Sequence, residues 1–197
     1  MNKKAERGRA TREQLVEIAT GLFAEHGYEG TSIEAVLRSA QVSRGALYHH
    51  FAGKDALFAA VFEAVELDVS RRLLEAVGGI DDPAAALRAG CLTWIALAGD
   101  PVVQRIVLID APSVLGWQRW RELEEQYGLG GVKLLMRQIA ESGRLPVRHA
   151  DPFAHMLLAS LNEIAVMITR ADDPKEAMKD GRAAVEELVD RLLPPAQ

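Results

Sequence analysis

The fold is decided by the segment GTSIEAVLRSAQVSRGALYHHFAGKDAL, residues 30–57. Its apolar residues recur three and four positions apart, which is the spacing of one buried helix face. Two short helices are predicted here, one ending near Ala40 and one capped by Ser43 and closed by Gly53. Because only three or four residues separate them, the pair is typical of a helix-turn-helix. The inward positions that would share its core are Ile33, Val36, Leu37, Val42, Leu47 and Phe51.

A helix is also predicted before this segment, over about residues 11–26. A capping box of Thr11 and Gln14 marks its start, and a second capping box, Thr31 with Glu34, precedes the next helix. In such a box, the hydroxyl oxygen accepts a hydrogen bond from a free N–H group of the first turn. Three short helices therefore make up the N-terminal unit.

The rest of the chain is predicted to be helical as well. A long helix over about residues 55–77 ends at the pair Gly78-Gly79. Beyond it, four Asp-Pro pairs predict helix starts, because Asp accepts free N–H groups and Pro needs no donor there. These pairs begin at Asp82, Asp100, Asp151 and Asp173. A further helix is predicted from near Gly116 to Ser142, with a kink or a close approach at three glycines. They are Gly128, Gly130 and Gly131.

These elements predict an all-α fold of about nine helices. We divide it into an N-terminal arm with the helix-turn-helix domain, residues 1–54, and a larger helical domain, residues 55–197. The long helix over residues 55–77 would connect the two.

Charge is distributed unevenly along the chain, whose net charge is -5. Residues 1–54 carry 8 Lys and Arg against 6 Asp and Glu, and the remainder carries 15 against 22. The first dozen residues form a basic arm of the kind that meets phosphate, although a solvated terminus is the alternative. Its cations are Lys3, Lys4, Arg7, Arg9 and Arg12.

Other function classes find little support in the composition. Cys91 has no partner for an intramolecular disulfide, and no apolar run is long enough to cross a bilayer, so a cytoplasmic location without membrane contact is expected. The serines lack the context of a nucleophile, and His149 with His155 lacks a third metal ligand. We therefore expect no enzyme activity, no metal and no cofactor.

The outward face of the third helix suits DNA. Arg44 can contact guanine through two hydrogen bonds, Tyr48 and His49 can reach base edges or the backbone, and Gly45 with Ala46 lets the helix approach closely. The alternative is a helix end with exposed imidazoles, or a helix-turn-helix that serves only as a scaffold.

Residues 30–57 closely resemble the DNA-binding domain of the tetracycline-repressor (TetR) family, and the likeness covers about residues 11–60. The C-terminal part matches in length, helical content and position, and the stretch 108–120 resembles one branch of the family. The family usually has Gly where Gln41 stands and a small Ala where Leu37 stands. The resemblance implies phosphate contacts from Thr31, Tyr48, His50 and Lys54. The full predicted DNA-binding set is Thr31, Ser32, Ser43, Arg44, Gly45, Ala46, Tyr48, His49, His50 and Lys54.

The resemblance also implies an effector pocket among the helices after residue 77. Aromatic and Met side chains can line such a pocket, but core packing is the alternative for each of them, and ion pairing with other charges is the alternative for Arg105 and Asp110. The candidates are Trp94, Gln104, Arg105, Leu108, Trp117, Trp120, Tyr127, Met136 and Asn162.

Two apolar stripes on the last two helices suit a four-helix interface between two copies of the chain. Packing within one protomer is the alternative. The residues are Phe153, Met156, Leu157, Leu161, Ile164, Ile168, Val185, Leu188, Val189 and Leu192.

The predicted function is a sequence-specific transcriptional regulator that binds double-stranded operator DNA as a homodimer. We expect a repressor that a small, largely apolar effector releases from a palindromic operator. An activating or ligand-independent regulator remains open, as does an interaction module without enzyme activity.

Overall fold

The computed structural model describes residues 3–193, except for the side chains of residues 3, 4, 117 and 124. This part of the chain forms nine helical segments and no strand, which confirms the predicted all-α class. The helices are α1 (Lys3–Gly30), α2 (Ile33–Ala40), α3 (Arg44–His50), α4 (Lys54–Val77), α5 (Pro83–Leu97), α6 (101–114), α7 (117–141), α8 (Ala150–Thr169) and α9 (Pro174–Leu192).

Helices α6 and α7 are not α-helical throughout. Two segments are π-helical: Val103–Asp110 in α6 and Glu125–Leu129 in α7. A kink or a close approach was predicted at three glycines: the second segment contains Gly128 and ends directly before Gly130 and Gly131. A Cβ atom on Gly128 would lie 3.9 Å from Leu158 of α8. The glycines therefore mark a change of helical geometry beside a neighbouring helix.

Helix α1 starts at Lys3, eight residues earlier than predicted, because the basic arm continues the helix. Thr11 lies inside it, and its hydroxyl donates to the carbonyl of Arg7 at 3.0 Å. The predicted capping box of Thr11 and Gln14 is therefore wrong. The Gln14 amide instead donates to the carbonyl of Ala40 at 3.0 Å, which joins α1 to the end of α2.

The start of α2 differs from the prediction by one residue. Ser32 is the N-cap, and its hydroxyl oxygen accepts from the N–H of Ala35 at 3.1 Å. Thr31 is only 2 % exposed, and its hydroxyl donates to the carbonyl oxygens of Gly27 and Leu22. At the other end, Gln41 adopts the left-handed conformation with φ 54° and ψ 35°. For a residue other than glycine, the left-handed conformation lowers folding stability by about 1 kcal/mol.

The Asp-Pro rule holds at three of its four positions. Asp82 caps α5 and Asp173 caps α9 through their carboxylates, and Asp100 accepts from the N–H of Val102 at the start of α6. Asp151 lies one residue inside α8 and does not cap it. Its carboxylate instead receives two hydrogen bonds from Arg137, at 3.0 and 3.1 Å, which ties α8 to α7.

Two clusters of buried side chains hold the helices together. The first core combines α1 to α4 with α6 and with Leu123 of α7, so the helix-turn-helix shares its core with helices beyond residue 54. The second core combines α5, α7, α8 and α9. Trp94 of α5 packs against both. The α6 contribution to the first core consists of Val103, Ile106, Val107 and Ala111.

One stretch, Val147–Thr169, is long and apolar enough to span a membrane by length and composition. No such segment was expected from the sequence. A core helix of a water-soluble protein passes the same test, and α8, which fills most of this stretch, contributes Leu157, Leu161 and Ile168 to the second core. One face of α8 is therefore part of the protein core, and 28 % of the apolar window is buried.

Candidate DNA-binding surface and regulatory helices

Helix α3 is anchored by one buried face and presents the other. Ser43 caps it by accepting from the N–H of Ala46 at 3.2 Å, as predicted. Leu47 is fully buried, and Phe51 behind it is 4 % exposed. The opposite face carries four of the predicted contacts to DNA. They are Arg44, Gly45, Tyr48 and His49, all exposed.

The basic start of α1 lies beside the end of α3. A Cβ atom on Gly8 would be 3.8 Å from the Cε1 atom of His50. Further along α1, the Arg12 guanidinium stands 5.3 Å from the centre of the Phe51 ring. The positive charge of this arm was predicted from the sequence, but its helical form was not. The arrangement places the basic start of α1 beside His50 and Phe51, at the C-terminal end of α3.

Arg44 has a partner within the helix-turn-helix. Its Nη2 atom lies 2.6 Å from Oε1 of Glu34, and both side chains are more than half exposed. The pKa of Glu34 is lowered by its own backbone N–H and then by the hydrogen bond from Arg44. The guanidinium is thus held at the start of α3, between α2 and the solvent.

The residues predicted to grip phosphates fall into two groups. Tyr48 is 46 % exposed, and Lys54 and His50 are partly exposed, so their polar atoms can reach a backbone laid along α3. Thr31 does not share this property, because its side chain is buried and its hydroxyl is engaged. Ser32 is exposed, and its hydroxyl caps α2.

A tyrosine outside the predicted DNA-binding set supports Lys54. The Lys54 Nζ atom stands 4.0 Å from the centre of the Tyr28 ring, a cation–π contact. The Tyr28 hydroxyl donates to the carboxylate of Asp55. Burial, with that hydrogen bond second, raises the pKa of Tyr28 to about 12. No spacing rule links residue 28 to residue 54, so only the fold reveals this group.

The predicted pocket residues lie mostly in packed surroundings. Met136 is fully buried in the second core, which is the core-packing alternative. Trp120 and Tyr127 pack against the first core, while Gln104, Leu108 and Asn162 are partly buried. The side chain of Trp117 lies outside the described residues.

Two of the pocket candidates have specific surroundings. Arg105 pairs with Asp110, with Nε 3.1 Å from Oδ2, which is the ion pair considered as the alternative for both residues. The Nε1 atom of Trp94 is buried and has no hydrogen-bond partner among the described residues. An unpaired buried N–H group costs about 1–3 kcal/mol, so a polar acceptor at this position would be stabilising.

Two grooves on the surface of the described residues have linings that do not include these candidates. One, of about 530 Å³, separates α8 from α9 and is called the α8–α9 groove below; its lining is Ala159, Ser160, Glu163, Ile164, Ala184, Val185 and Leu188. The other, of similar volume, lies between α1, α4 and the start of α6. Neither is lined by the predicted pocket set.

Half of the predicted dimer residues point into the protomer. These residues are buried in the second core, which is the alternative of packing within one protomer. The buried members are Leu157, Leu161, Ile168, Val185 and Val189. The other predicted members are at least partly exposed: Phe153, Met156, Ile164, Leu188 and Leu192. Met167, at 59 % exposure, also lies on the outward side of α8 and was not among the predicted interface residues.

The side chains that could bind a metal ion are scattered. Among the described residues, no group of three or more His, Cys, Asp or Glu lies together in a way that could hold one. Cys91 is buried, and burial raises the pKa of its thiol to about 12.

Known families match both parts of the chain. Residues 15–61 match the family model described as bacterial regulatory proteins, tetR family, and residues 84–192 match the tetracyclin repressor-like C-terminal domain. The second match alone covers more than half of the chain.

Relatives and solved structures agree with these matches. The Tn10 TetC protein of Escherichia coli is 24 % identical over 165 residues, which cover 84 % of this chain and 83 % of that protein. A TetR-family regulator from Pectobacterium atrosepticum is 30 % identical, with full coverage of both chains and a TM-score of 0.82.

FadR from Bacillus subtilis, solved in complex with stearoyl-CoA, has the same fold. The match covers 94 % of this chain and 99 % of the FadR chain, at 18 % identity and a TM-score of 0.72. With matches at both ends of the chain and a relative similar over its whole length, the protein belongs to the tetracycline-repressor (TetR) family of bacterial transcriptional regulators.

Proposed function

We propose that this regulator represses transcription by binding a palindromic operator as a homodimer, and that a small, largely apolar effector releases it. The observation that carries the DNA-binding part is the exposed face of α3, with Arg44 and Tyr48 beside the basic first turns of α1. Base edges and phosphates could then be contacted together. Such an activity belongs to the bacterial cytoplasm.

The orphaned indole of Trp94 supports an effector site. Its buried Nε1–H would gain an acceptor if a ligand carbonyl or hydroxyl entered between α5 and the neighbouring helices. Trp94 also packs against both cores, so a ligand at this ring would contact the part of the protein that supports α3. FadR, which shares the fold, binds stearoyl-CoA, and a ligand with an apolar chain is the class we propose here.

Release follows if the effector prefers a different placement of α4. This helix packs against α1 on one side and α5 on the other, so a movement of α5 would be passed to the helix-turn-helix. A ligand with equal affinity for both placements would shift nothing. A coupling of about 1–3 kcal/mol would change operator affinity roughly 5- to 150-fold.

The α8–α9 groove supports the homodimer. Most of its lining is apolar, and Leu188 within it is 40 % exposed. Met156 and Met167 of α8 are exposed as well. A second copy related by a two-fold axis would cover these side chains and present two α3 helices to successive major grooves.

The test of DNA binding is a titration of the full chain against DNA flanking its own gene, beside a scrambled duplex, at several salt concentrations. We expect saturable binding that survives at moderate salt only on the native DNA. Weak and equal binding to both duplexes would contradict a specific operator at that locus and would favour an interaction module.

The test of the effector is tryptophan fluorescence during titration with fatty acids and their thioesters. We expect a change in the wild type that is reduced in Trp94→Phe, which keeps an apolar ring but removes the N–H group. A ligand that changes fluorescence equally in both proteins would move the site away from Trp94.

A further inference from the structure

Tyr28 contacts both α6 and Lys54, the lysine that we propose binds phosphate. Its backbone N–H donates to Oδ2 of Asp110 at 2.7 Å, although 82 positions separate the two residues. Its ring lies under the Nζ atom of Lys54. One residue thus has one bond to α6 and one contact at the DNA-facing end of α4.

The N–H group of Tyr28 needs an acceptor from outside α1. Gly27 has φ 72° and ψ 173°, which breaks the helix, so the residue that follows loses its regular carbonyl partner. The carboxylate of Asp110 takes that place and is itself only 8 % exposed. A buried carboxylate without partners would be costly, and this one is compensated by the Tyr28 N–H and by Arg105.

The π-helical geometry of α6 brings Arg105 and Asp110 to one face. Residues five apart on an α-helix point about 140° away from each other, whereas the i→i+5 bonds of a π-helix place them one turn apart. Both Arg105 Nε and the Tyr28 N–H donate to the same Oδ2 atom of Asp110. The Arg105 guanidinium also covers the Cα atom of Gly27. Segment Val103–Asp110 therefore holds the break in α1 from two sides.

The Tyr28 ring is fixed in turn by two phenylalanines. It stacks on Phe23 with the ring centres 5.9 Å apart and meets the edge of Phe58 at 5.3 Å. Aromatic pairs at these distances restrict each other's orientation. Because its orientation is restricted, the ring cannot compensate for a shift of the Tyr28 backbone by rotating, so such a shift would change the surface on which the Lys54 ammonium stands.

We infer that Asp110 is a positioning residue for Lys54, acting through the backbone and ring of Tyr28. The placement of α6 then sets where the Lys54 ammonium stands, and so how strongly it holds a phosphate. This inference rests on the proposed DNA binding of Lys54, but the position of the ammonium can be measured without DNA.

The DNA-free test uses the full chain with its lysines converted to ¹³C-dimethyl-lysine. Lys54→Arg identifies the Lys54 resonance as the one that disappears. In the wild type we expect this resonance upfield of the other lysines, because it stands over an aromatic ring. It should move to the free-lysine position in Asp110→Ala and stay upfield in Asp110→Asn, whose amide oxygen can still accept from the Tyr28 N–H.

Tyr28→Leu provides a second variant if Asp110→Ala does not fold. It removes the ring and keeps the N–H that Asp110 accepts, so the Lys54 resonance should again reach the free position. An unshifted resonance in the wild type, or one that stays upfield in every folded Asp110→Ala or Tyr28→Leu sample, would overturn the inference.

The DNA test compares salt dependence in Lys54→Ala, Asp110→Ala and the double variant. For every phosphate that the protein no longer neutralises, the slope of log affinity against log salt should fall by about 0.9. We expect both single variants to lower the slope and the double variant to lower it no further than Lys54→Ala. Independent, additive reductions would contradict action through Lys54. A Lys54→Ala slope equal to that of the wild type would refute the proposed phosphate contact, while the resonance test would still decide the positioning role.

Discussion

Arg44 and Glu34 form an ion pair across the turn of the helix-turn-helix, with Nη2 of Arg44 2.6 Å from Oε1 of Glu34. The guanidinium proposed to read guanine is therefore engaged before DNA arrives. To contact the O6 and N7 atoms of guanine through two hydrogen bonds, it must leave the carboxylate or share its donors. In the proposed complex, Glu34 would also place a negative charge near the DNA phosphates.

We expect Glu34→Gln to raise DNA affinity, roughly two- to fivefold at 0.15 M salt, because it frees Arg44 and removes a like charge from the phosphates. Fluorescence anisotropy with the native duplex measures the change. Glu187→Gln on α9 alters net charge equally and pairs a different arginine, so it serves as the control. An affinity that falls in Glu34→Gln would mean that Glu34 orients Arg44 for its base.

Arg44→Ala and Lys54→Ala should differ in kind. Without Arg44, the protein should lose about 1–3 kcal/mol of discrimination between the native and the scrambled duplex. Without Lys54, binding to both duplexes should weaken together and depend less on salt. Competition assays with the two duplexes separate these outcomes, and variants that both match the wild type would refute the two assignments.

The sequence carries enough information to predict α2, α3 and α4, because their apolar stripes and terminal residues are local. It also predicts the exposed face of α3. The cap of α2 was misplaced because Thr31 and Ser32 are adjacent hydroxyls and only packing decides which one turns inward. For α8, a stripe such as that of Leu157 fits a protomer core as well as a dimer interface. The bond from Tyr28 to Asp110 joins distant positions without a motif.

Gly27→Ala should destabilise the protein for two reasons. The backbone has φ 72°, which costs an L side chain about 1 kcal/mol, and the new Cβ atom would lie 1.7 Å from Nη2 of Arg105. A loss of 1 kcal/mol lowers Tm by about 2–4 °C in a domain of this size, and displacing Arg105 should add to it. Thermal unfolding followed by circular dichroism gives the value.

Two further variants separate the causes of that loss. Gly21→Ala lies within α1 and meets no atom within 4 Å, so it should be neutral or stabilising. Gly27→Ala combined with Arg105→Ala should recover the steric part and retain the backbone part, measured against Arg105→Ala alone. A Gly27→Ala protein as stable as the wild type would show that α1 tolerates a side chain at its break.

Leu188→Glu should separate the proposed dimer. The side chain stands 40 % exposed in the α8–α9 groove, and a two-fold interface would bury two new carboxylates close together. Sedimentation velocity should show a shift from dimer to monomer, with weaker operator binding. Leu74→Glu, on an exposed position of α4 outside that groove, is the matched control. A Leu188→Glu dimer as stable as the wild type would place the interface elsewhere.

Tyr28 should make stability depend on pH in the alkaline range. Its folded pKa of about 12 exceeds the value near 10 of an unfolded tyrosine, so the unfolded chain releases this proton first. The contribution of Tyr28 to the free energy of unfolding is therefore complete below pH 10 and is lost as the pH rises towards 12. Urea unfolding at several pH values should show a shallower decline in Tyr28→Phe than in the wild type, and parallel declines would contradict the raised pKa.

The shared first core has a consequence for building chimeric sensors from this protein. If a foreign ligand-binding module were grafted directly after α3, the helix-turn-helix would lose the α6 residues that complete its core. These are Val103, Ile106, Val107 and Ala111. The graft would also leave the amide of Tyr28 without Asp110. The unit that can be transferred is therefore discontinuous in the chain, because residues 3–77 must be transferred together with α6. New ligand specificity is better introduced by redesigning side chains of α5, α7 and α8.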